Sequence, residues 1–461
     1  MLVNNDHYYR VLQGAEREIL RHGELIPDAP FYERKLQAVW ERARHSEFYC
    51  DLGDFSFAGF EALALTPKAS LKGSPRAFCT IDYGQAAKYY ATTGTTGEPT
   101  PSPRLKEDVI WNAVSVAFHW RHVIEPGSRV ANLMPSDIVP VGDLIANVCE
   151  YLDVSHVRAY PFTTGITDWE RLCRLFETYR PTVIFIAPGV LVQLTRYLKQ
   201  RQMLERVRES IKAIMLLGEV NTQPFRENLA QWWACDIHDA SYGSTETGTL
   251  AAVTQGKAQR LTTATNYFEL VTADGQIVPL SNGASGRLVV TPLNLYARPL
   301  LRLDTGDSVT ITSECAVGLP GPTMMVNGRD SDAVVVSGVD LEIRKIEEIV
   351  YGLSNATAYL IDVDRTTDSA SLILERDVAW DNKLEAGLAH PLRECFEVRM
   401  KLLRASLLFV NNLAVVSMSG ALQNSWKQTN LRFVGGQQCS RSAVFRPAIP
   451  SVAPRAGAVP R

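Results

Sequence analysis

The chain of 461 residues lacks the features that mark a nucleic-acid-binding, membrane-spanning or secreted protein. Its 47 basic and 50 acidic residues give a formal net charge of −3, so no strong positive field is available to hold a polyanion. The longest apolar stretches, such as residues 183–194, contain Pro and Gly and fall short of the ~20 residues of a membrane helix. The N-terminal residues have neither a basic nor an apolar signal region. We therefore expect a cytoplasmic protein with no nucleic-acid or membrane partner.

Cysteines are few and widely spaced. The eight cysteines run from Cys50 to Cys439 without a single CxxC pair. This pattern predicts reduced thiols and disfavours a disulfide framework or a zinc site.

Short apolar runs alternate with helical patterns past Gly127, which is typical of a layered α/β domain. The predicted strands are residues 129–134, 182–187 and 214–217, and the predicted helices are residues 169–179 and 189–200. The fold class predicted is thus α/β, with a large layered N-terminal domain.

Composition divides the rest of the chain into smaller units. Residues 268–312 are rich in Gly, Pro and β-branched residues and predict a β subdomain within a large domain of residues 1–327. Residues 328–434 predict a small, mobile α+β domain. Residues 435–461 contain four Arg, four Pro and no acidic residue, and we predict a disordered tail.

A loop rich in Thr and Gly is the most informative segment, because its hydroxyls and exposed N–H groups can surround phosphate oxygens. The candidate ATP-binding residues are Thr92, Thr93, Gly94, Thr95, Thr96 and Gly97. The loop lacks the GK[ST] ending of a Walker A loop, and a surface turn is the alternative. Residues 92–99 resemble the signature of the adenylate-forming superfamily, which includes acyl-CoA synthetases, adenylation domains of peptide synthetases and luciferases.

A second segment resembles the aromatic-Gly-x-Thr-Glu motif of the same superfamily. It runs Ala240, Ser241, Tyr242, Gly243, Ser244, Thr245, Glu246. An aromatic ring at Tyr242 can stack on adenine, Gly243 lets the backbone pass close to the nucleotide, and Thr245 can hydrogen-bond the α-phosphate. Glu246 offers a hard oxygen to Mg²⁺. A polar turn after a strand is the alternative.

Three further segments resemble motifs of the superfamily in the expected order. Residues 217–220 resemble a Gly-Glu segment on the adenine side, through Gly218 and Glu219. Residues 298–307 resemble a run found in phenylacetate–CoA ligases, in which Asp307 would bind the ribose hydroxyls. Arg329 would pair with ribose or phosphate. The hinge between the domains would lie at Ser331 and Asp332, where relatives usually have an acid or Lys in place of Ser331. A structural Asp and a solvated Arg are the alternatives.

The resemblance also implies a catalytic lysine, for which Lys427 is the candidate. Its ammonium would bridge the substrate carboxylate and the α-phosphate as charge develops. An exposed loop lysine is the alternative, since Trp426 stands where relatives have Gly. Thr100 likewise stands where many relatives have Lys, leaving Arg104 as the nearest downstream cation, so we expect the loop to hold the outer phosphates more weakly.

The resemblance implies an enzyme of the phenylacetate–CoA ligase-like branch that uses ATP and Mg²⁺ to activate a carboxylic acid as an acyl-adenylate, with Thr245 and Lys427 as catalytic residues. Its acceptor would be CoA, a carrier protein or an amino acid, the last as in coronafacate ligase. Relatives line the acyl pocket with the segment that here contains Asp137 and Ile138; Leu217 is a further candidate. Asp137 or Asp143 could pair a substrate amine or cap a helix, and an apolar lining favours an aryl or cyclic aliphatic acid. A degenerate, non-catalytic nucleotide-binding homologue is the alternative.

Overall fold

The computed structural model describes residues 3–92, 98–219, 221–313, 318, 320–328, 334–336, 339–341, 343–364, 366–367, 369–377, 380–395, 406–413 and 430–434. Several predicted site residues lie outside these ranges: Thr93, Gly94, Thr95, Thr96, Gly97, Arg329, Ser331, Asp332 and Lys427. The roles assigned to them remain predictions, as does the disordered tail.

Twelve α-helices are present in the described ranges. They are α1 (Asp6–His22), α2 (Ala29–Ala43), α3 (Phe57–Ala62), α4 (Lys68–Gly73), α5 (Lys106–Trp120), α6 (Val141–Tyr151), α7 (Trp169–Tyr179), α8 (Pro188–Gln200), α9 (Leu204–Arg208), α10 (Gln223–Trp233), α11 (Ile343–Leu353) and α12 (Asn382–Glu394). No helix within these ranges has both the length and the apolar character that crossing a bilayer requires.

The same ranges contain twenty-two strands. They are β1 (Thr66–Pro67), β2 (Lys88–Ala91), β3 (Pro101–Arg104), β4 (Arg129–Asn132), β5 (Ser155–Arg158), β6 (Val183–Ile186), β7 (Ala213–Leu216), β8 (Asp236–Asp239), β9 (Ser241–Ser244), β10 (Gly248–Val253), β11 (Gln259–Leu261), β12 (Asn266–Val271), β13 (Ile277–Val278), β14 (Ser285–Pro292), β15 (Leu303–Ile311), β16 (Thr323–Gly328), β17 (Val334–Val336), β18 (Val339–Leu341), β19 (Ala358–Asp364), β20 (Ser369–Glu375), β21 (Ser406–Val410) and β22 (Leu431–Val434).

A five-stranded parallel sheet with the order β5-β4-β6-β7-β8 carries the α/β layer. Strands β6 and β7 are buried along their whole length, as their uniformly apolar sequences predict. The predicted strands and helices of this region are confirmed as β4, β6, β7, α7 and α8. Strand β5 lies on one side of β4, and strands β6, β7 and β8 continue on the other side. The direction in which successive strands are added therefore reverses at β4. Such a reversal predicts a ligand crevice beyond the carboxyl ends of β4 and β6.

A nine-stranded sheet has the order β13-β12-β14-β15-β16-β11-β10-β9, with β1 added parallel to β15. The β-rich composition of residues 268–312 indicated this subdomain, but the sheet is larger. It begins at β9 and recruits β1, whose Thr66 pairs with Leu303. Pairing between residues so distant in sequence leaves no local compositional signal.

A four-stranded sheet with the order β21-β20-β19-β22 forms the smaller α+β unit. Helices α11 and α12 contribute the fully buried Ile346 and Leu392 to its core. The large layered region with its antiparallel sheet and this smaller unit confirm the predicted α/β fold class. The domain limits at residues 327 and 434 remain predictions.

Helix α11 of the smaller unit packs directly on α10 of the larger one. The ring centroids of Phe225 and Tyr351 are 5.0 Å apart, and Asn228 Nδ2 donates to the Tyr351 carbonyl at 3.2 Å. Glu347 Oε1 accepts a hydrogen bond of 2.8 Å from the backbone N–H of Thr222, the N-cap residue of α10. A carboxylate from one unit thus completes the helix cap of the other.

Burial of Glu347 gives this contact a predicted pH dependence. Desolvation raises the pKa of Glu347 to about 7, although hydrogen bonds from Thr222 and the charges of Arg344 and Arg226 favour the ionised form. The native protein therefore holds this proton to a higher pH than the unfolded chain. We expect the carboxyl to lower the free energy of unfolding by about 2 kcal/mol as pH rises from about 5 to about 8. Urea unfolding across this pH range measures the slope.

The variant Glu347→Gln keeps an oxygen for the Thr222 N–H and removes the ionisable group, so its stability should fall less with rising pH. Glu348→Gln is the matched control, because the Glu348 carboxylate is about half exposed and pairs with Arg344 at 3.2 Å. Equal pH slopes for Glu347→Gln and the unmodified protein would contradict the prediction.

Candidate active site

A cleft of about 1600 Å³ lies beyond the carboxyl ends of the parallel strands, where the strand order predicts a crevice. Each of four parallel strands is followed in the chain by a residue that lines the cleft: Val139 after β4, Pro188 after β6, Gly218 after β7 and Ser241 after β8. Asp307 brings the antiparallel sheet to the same cleft. The two sheets therefore share one binding site.

The structure brings most of the described candidate residues together at this cleft. Those that line it are Thr92, Leu217, Gly218, Glu219, Ser241, Tyr242, Gly243, Ser244, Thr245, Glu246 and Asp307. Segments separated by more than 200 residues in the chain thus face a common space.

Three candidate residues are placed elsewhere. Ala240 is fully buried, and its carbonyl accepts a hydrogen bond of 3.0 Å from Trp120 Nε1. Asp137 and Ile138 are exposed and do not line the cleft, whereas Val139 and Pro140 do. The segment predicted for the acyl pocket reaches the cleft, but through the two residues that follow the candidates.

Tyr242 and Asp307 form a hydrogen-bonded pair on the cleft wall. Tyr242 Oη donates to Asp307 Oδ2 at 2.6 Å, and Thr305 Oγ1 accepts a hydrogen bond of 3.1 Å from the Asp307 backbone N–H. Gly306 has φ +71°, a conformation that favours glycine at this point of β15. The aromatic ring and the carboxylate are therefore held in a fixed relation across two strands.

The segment after β7 is likewise fixed by a glycine with positive φ and a hydrogen-bonded carboxylate. Gly218 has φ +96°, in the region open to glycine. Glu219 Oε2 accepts a hydrogen bond of 3.1 Å from the N–H of Gly189 at the start of α8. The positive end of the helix dipole favours a carboxylate there. This anchors the predicted adenine-side segment to the floor of the cleft.

Gly243 is required by packing within the sheet. A Cβ at this position would lie 2.3 Å from the Gly248 carbonyl oxygen and 2.9 Å from Thr249 Cα. The sequence alone suggested only a close approach to nucleotide; the structure supplies a second constraint, the close pairing of β9 with β10.

Two buried arginines that were not among the candidate site residues hold the turn between β9 and β10. Arg104 Nη2 donates to the carbonyls of Thr245 at 2.7 Å and Glu246 at 3.0 Å. Arg298 Nη2 donates to Ser102 Oγ at 2.9 Å and to the Glu246 carbonyl at 3.3 Å. In the described structure Arg104 is buried against these carbonyls, whereas the sequence had suggested only that it is the nearest cation downstream of the Thr- and Gly-rich loop.

Glu246 presents a buried carboxylate beside a lysine. Its side chain is 5% exposed, and its Oε1 lies 3.8 Å from Lys68 Nζ. Burial alone would raise the pKa of Glu246, but the charge of Lys68, hydrogen bonds and Arg298 outweigh it and leave the pKa lowered. The carboxylate is therefore ionised at neutral pH.

Sequence reasoning missed Lys68 and Lys72, which line the cleft from α4. Their i, i+4 spacing places two ammonium groups on one face of a short helix. That spacing was the available signal, but nothing in the local sequence connects α4 to residues 241–246. The two lysines bring positive charge to the side of the cleft that holds Glu246.

Comparison with known proteins decides the family. A family model described as AMP-binding enzyme matches residues 58–295, more than half of the chain. The chain belongs to the AMP-binding enzyme family. The predicted resemblance to adenylate-forming enzymes is confirmed.

Two curated relatives of this AMP-binding enzyme are phenylacetate-coenzyme A ligases. The protein of Thermus thermophilus is 26% identical over 396 residues, covering 81% of this chain and 85% of the relative. The protein of Escherichia coli (strain K12) is 23% identical over 395 residues, covering 79% and 83%.

Solved structures share the fold. The 2-hydroxyisobutyryl-CoA ligase in the postadenylation state with 2-HIB-AMP has a TM-score of 0.66 and 19% identity, over 93% of this chain and 88% of that chain. An acyl acid amido synthetase in complex with 2,4-DB has a TM-score of 0.62 and 12% identity, over 89% and 90%.

The family implies Mg²⁺ in this AMP-binding enzyme, and the residues present fit the ion. Glu246 supplies an ionised, buried carboxylate that faces the cleft. Mg²⁺ is commonly held by one or two carboxylates together with substrate phosphates and water. Bound there, the ion would neutralise charge on the leaving pyrophosphate.

An apolar wall lines part of the cleft in this AMP-binding enzyme. It consists of Val139, Val141, Leu144, Val192 and Leu217. Such a lining suits the hydrocarbon part of an organic acid.

Asp143 is not placed to pair a substrate amine, as the sequence had suggested it could. Its carboxylate forms salt bridges with Lys88 Nζ at 2.9 Å and Arg158 Nη1 at 3.2 Å. It also accepts a hydrogen bond of 3.1 Å from Tyr90 Oη. These partners already neutralise the Asp143 charge, and Asp143 does not line the cleft.

Proposed function

We propose that this chain is an ATP-dependent, AMP-forming ligase that joins a carboxylic acid to CoA. The convergence of Thr92, Leu217, Tyr242, Glu246 and Asp307 on one cleft carries this proposal. An adenylation site needs contacts for phosphate, adenine, metal and ribose around one nucleotide, and these residue types supply them.

The first half-reaction follows from that arrangement. Tyr242 and Asp307 hold the nucleoside while a substrate carboxylate oxygen attacks the α-phosphorus. The bond between the α-phosphorus and the oxygen that bridges the α- and β-phosphates breaks, and pyrophosphate leaves. Glu246 and Lys68 lie on the side of the leaving pyrophosphate. Lys427 offsets the negative charge that builds during attack. Catalysis is then positioning and charge neutralisation, as in other phosphoryl-type displacements.

The second half-reaction transfers the acyl group to CoA. The thiolate sulfur attacks the acyl carbonyl carbon, and AMP leaves with the electron pair of the broken C–O bond. Similarity to two phenylacetate-coenzyme A ligases over about four fifths of the chain supports CoA as acceptor. The apolar wall supports an aryl or cyclic aliphatic acid as substrate. An amino acid or a carrier protein as acceptor is an alternative outcome of the test below.

A degenerate, non-catalytic homologue would be expected to lose the charged and hydrogen-bonding groups of the site. Glu246, Asp307, Thr245 and Tyr242 are all present and face the cleft. Although burial raises the pKa of Glu246, the charge of Lys68, hydrogen bonds and Arg298 hold that pKa below its ordinary value. These residues favour the catalytic enzyme.

The test is acid-dependent exchange of labelled pyrophosphate into ATP with a panel of aryl, cyclic aliphatic and short-chain acids. Exchange with an aryl or cyclic acid is expected, and added CoA should then yield a thioester identified by mass. ATP binding without exchange by any acid would contradict adenylation. An amide formed with an amino acid, with no thioester, would replace CoA as the acceptor.

A further inference from the structure

Gln193 of α8 is a cleft-lining amide whose nitrogen lacks a partner. Its Nε2 is shielded from water and has no hydrogen-bond acceptor within the part of the chain that the structure describes. An amide N–H that is removed from water without gaining an acceptor carries the full cost of its desolvation. The Gln193 amide therefore adds no stability to the ligand-free fold.

Four other amides that line the cleft use their nitrogens to support the protein. The pairs are Asn147 Nδ2 with the Asp143 carbonyl at 2.8 Å, Asn221 Nδ2 with the Glu219 carbonyl at 3.4 Å, Gln223 Nε2 with Glu227 Oε1 at 2.8 Å and Gln259 Nε2 with the Asp239 carbonyl at 3.3 Å. Among the described residues, the nitrogen of Gln193 has no such contact. A bound ligand explains a polar side chain at this position better than the fold does.

The neighbours of Gln193 belong to the apolar wall of the cleft. Val192 precedes it in α8 and is part of that wall. One helical turn earlier, the Gly189 N–H donates to Glu219 Oε2 at 3.1 Å and so fixes the segment that contains Leu217, another residue of the wall. Gln193 therefore stands in the part of the cleft that suits the hydrocarbon of the acid, away from the nucleoside contacts on the antiparallel sheet.

Arg196 bounds this position on its other side. It follows Gln193 by three residues and also lines the cleft, but its guanidinium is already bound. Arg196 Nε lies 2.8 Å from Glu375 Oε1, and Arg196 Nη2 donates to the Leu413 carbonyl at 2.7 Å. Because Glu375 neutralises the Arg196 charge, a neutral polar group suits the space beside Gln193 better than an anion does.

A hydroxyl is the neutral group that fits this amide. The terminal torsion of a glutamine is soft, so a turn of the Gln193 amide can direct either its nitrogen or its oxygen into the cleft. A hydroxyl both donates and accepts, and it pairs with the amide in either orientation. A hydrocarbon group would leave the nitrogen unpaired, and a second carboxylate would meet a guanidinium that Glu375 already neutralises.

We propose that the substrate is a hydroxylated aryl or cyclic aliphatic acid and that Gln193 is the residue that selects its hydroxyl. The inference rests on the proposed function, because it specifies the acid that the adenylation site activates. An acid with the hydroxyl supplies the partner that the Gln193 amide lacks. An acid without it keeps the amide buried and unpaired, so the site discriminates between the two.

The experiment measures pyrophosphate exchange with pairs of acids that differ by one ring hydroxyl. The pairs are phenylacetate with each ring-hydroxylated phenylacetate, and cyclohexanecarboxylate with each ring-hydroxylated cyclohexanecarboxylate. For the unmodified enzyme, kcat/KM should be at least about tenfold higher for one hydroxylated acid than for its unsubstituted partner. Gln193→Leu replaces the amide with an apolar side chain. It should lower kcat/KM for that hydroxylated acid about tenfold and raise it for the unsubstituted acid.

A matched control and a stability measurement exclude a structural origin of the effect. Gln200→Leu makes the same chemical change at an exposed position at the end of α8, and it should behave as the unmodified enzyme. The urea midpoint of ligand-free Gln193→Leu should equal or exceed that of the unmodified protein, because the variant removes an unpaired donor. A lower midpoint would show that the amide supports the fold and would overturn the inference.

The outcomes separate the inference from the proposed function. Equal kcat/KM for both members of every pair, or an unchanged preference in Gln193→Leu, would overturn the inference. A loss confined to thioester formation would also overturn it, since Gln193 would then contact an amide of CoA. Absence of exchange with every acid would instead refute the proposed function. Calorimetric titration with the same acids would then decide the inference: tighter binding of a hydroxylated acid to the unmodified protein than to Gln193→Leu supports it, and equal binding overturns it.

Discussion

Lys427→Ala is expected to lower acid-dependent pyrophosphate exchange by about 100- to 1000-fold, the usual loss when one preorganised charge partner of a transition state is removed. In the proposed mechanism the Lys427 ammonium acts where charge builds during attack, so it would contribute little to binding of the ground state. The affinity for ATP should therefore change little. Single-turnover adenylation and a separate ATP-binding titration measure the two effects.

Two comparisons sharpen this prediction. Lys383→Ala removes an exposed lysine from α12 of the same unit and should leave the exchange rate unchanged. Thioester formation by Lys427→Ala from synthetic acyl-adenylate should persist, because the adenylation step is bypassed. A normal exchange rate in Lys427→Ala would remove this lysine from the mechanism.

Asp307→Ala is expected to raise KM for ATP on the order of 100-fold. The carboxylate would accept hydrogen bonds from both ribose hydroxyls, and each bond to a charged group contributes roughly 1.5–3 kcal/mol. A difference of about 1.4 kcal/mol corresponds to a factor of ten. Tyr242 also loses the partner that its hydroxyl contacts at 2.6 Å. Steady-state kinetics with varied ATP measure the change.

Tyr242→Phe separates the two contributions of this pair. It removes the hydroxyl that donates to Asp307 and keeps the ring, so KM for ATP should rise by less than about tenfold. Asp304→Ala is the control on the same strand, since Asp304 pairs with Arg287 at 3.0 Å and does not line the cleft. Similar KM values for Asp307→Ala and Asp304→Ala would exclude the ribose contact.

The apolar strands and the site segments were predictable because their signals are local. Strand β6 is a continuous apolar run, and burial on both faces of a parallel sheet is what such a run predicts. Tyr242, Thr245 and Glu246 lie within one short segment whose residue types suit nucleotide, phosphate and metal. Their order in the chain is enough to suggest one function.

The side chains that hold the segment of Tyr242, Thr245 and Glu246 in place could not be predicted from the sequence. Arg104 binds the carbonyl of Thr245, which lies 141 residues away in the chain. Lys68 reaches Glu246 from a separate helix. Asp143 looked available for a substrate amine because nothing in its local sequence shows that Lys88 and Arg158 already pair with it.

By itself, the sequence determined the α/β class, the family resemblance and the residue types expected to bind ATP, because periodicity and motif chemistry depend on neighbouring residues. Tertiary structure alone decided which of those residues share one cleft, which cations support them and how α8 and α10 hold the smaller unit. Those features depend on side chains that are remote in the chain and become neighbours only when the two sheets and the smaller unit pack together.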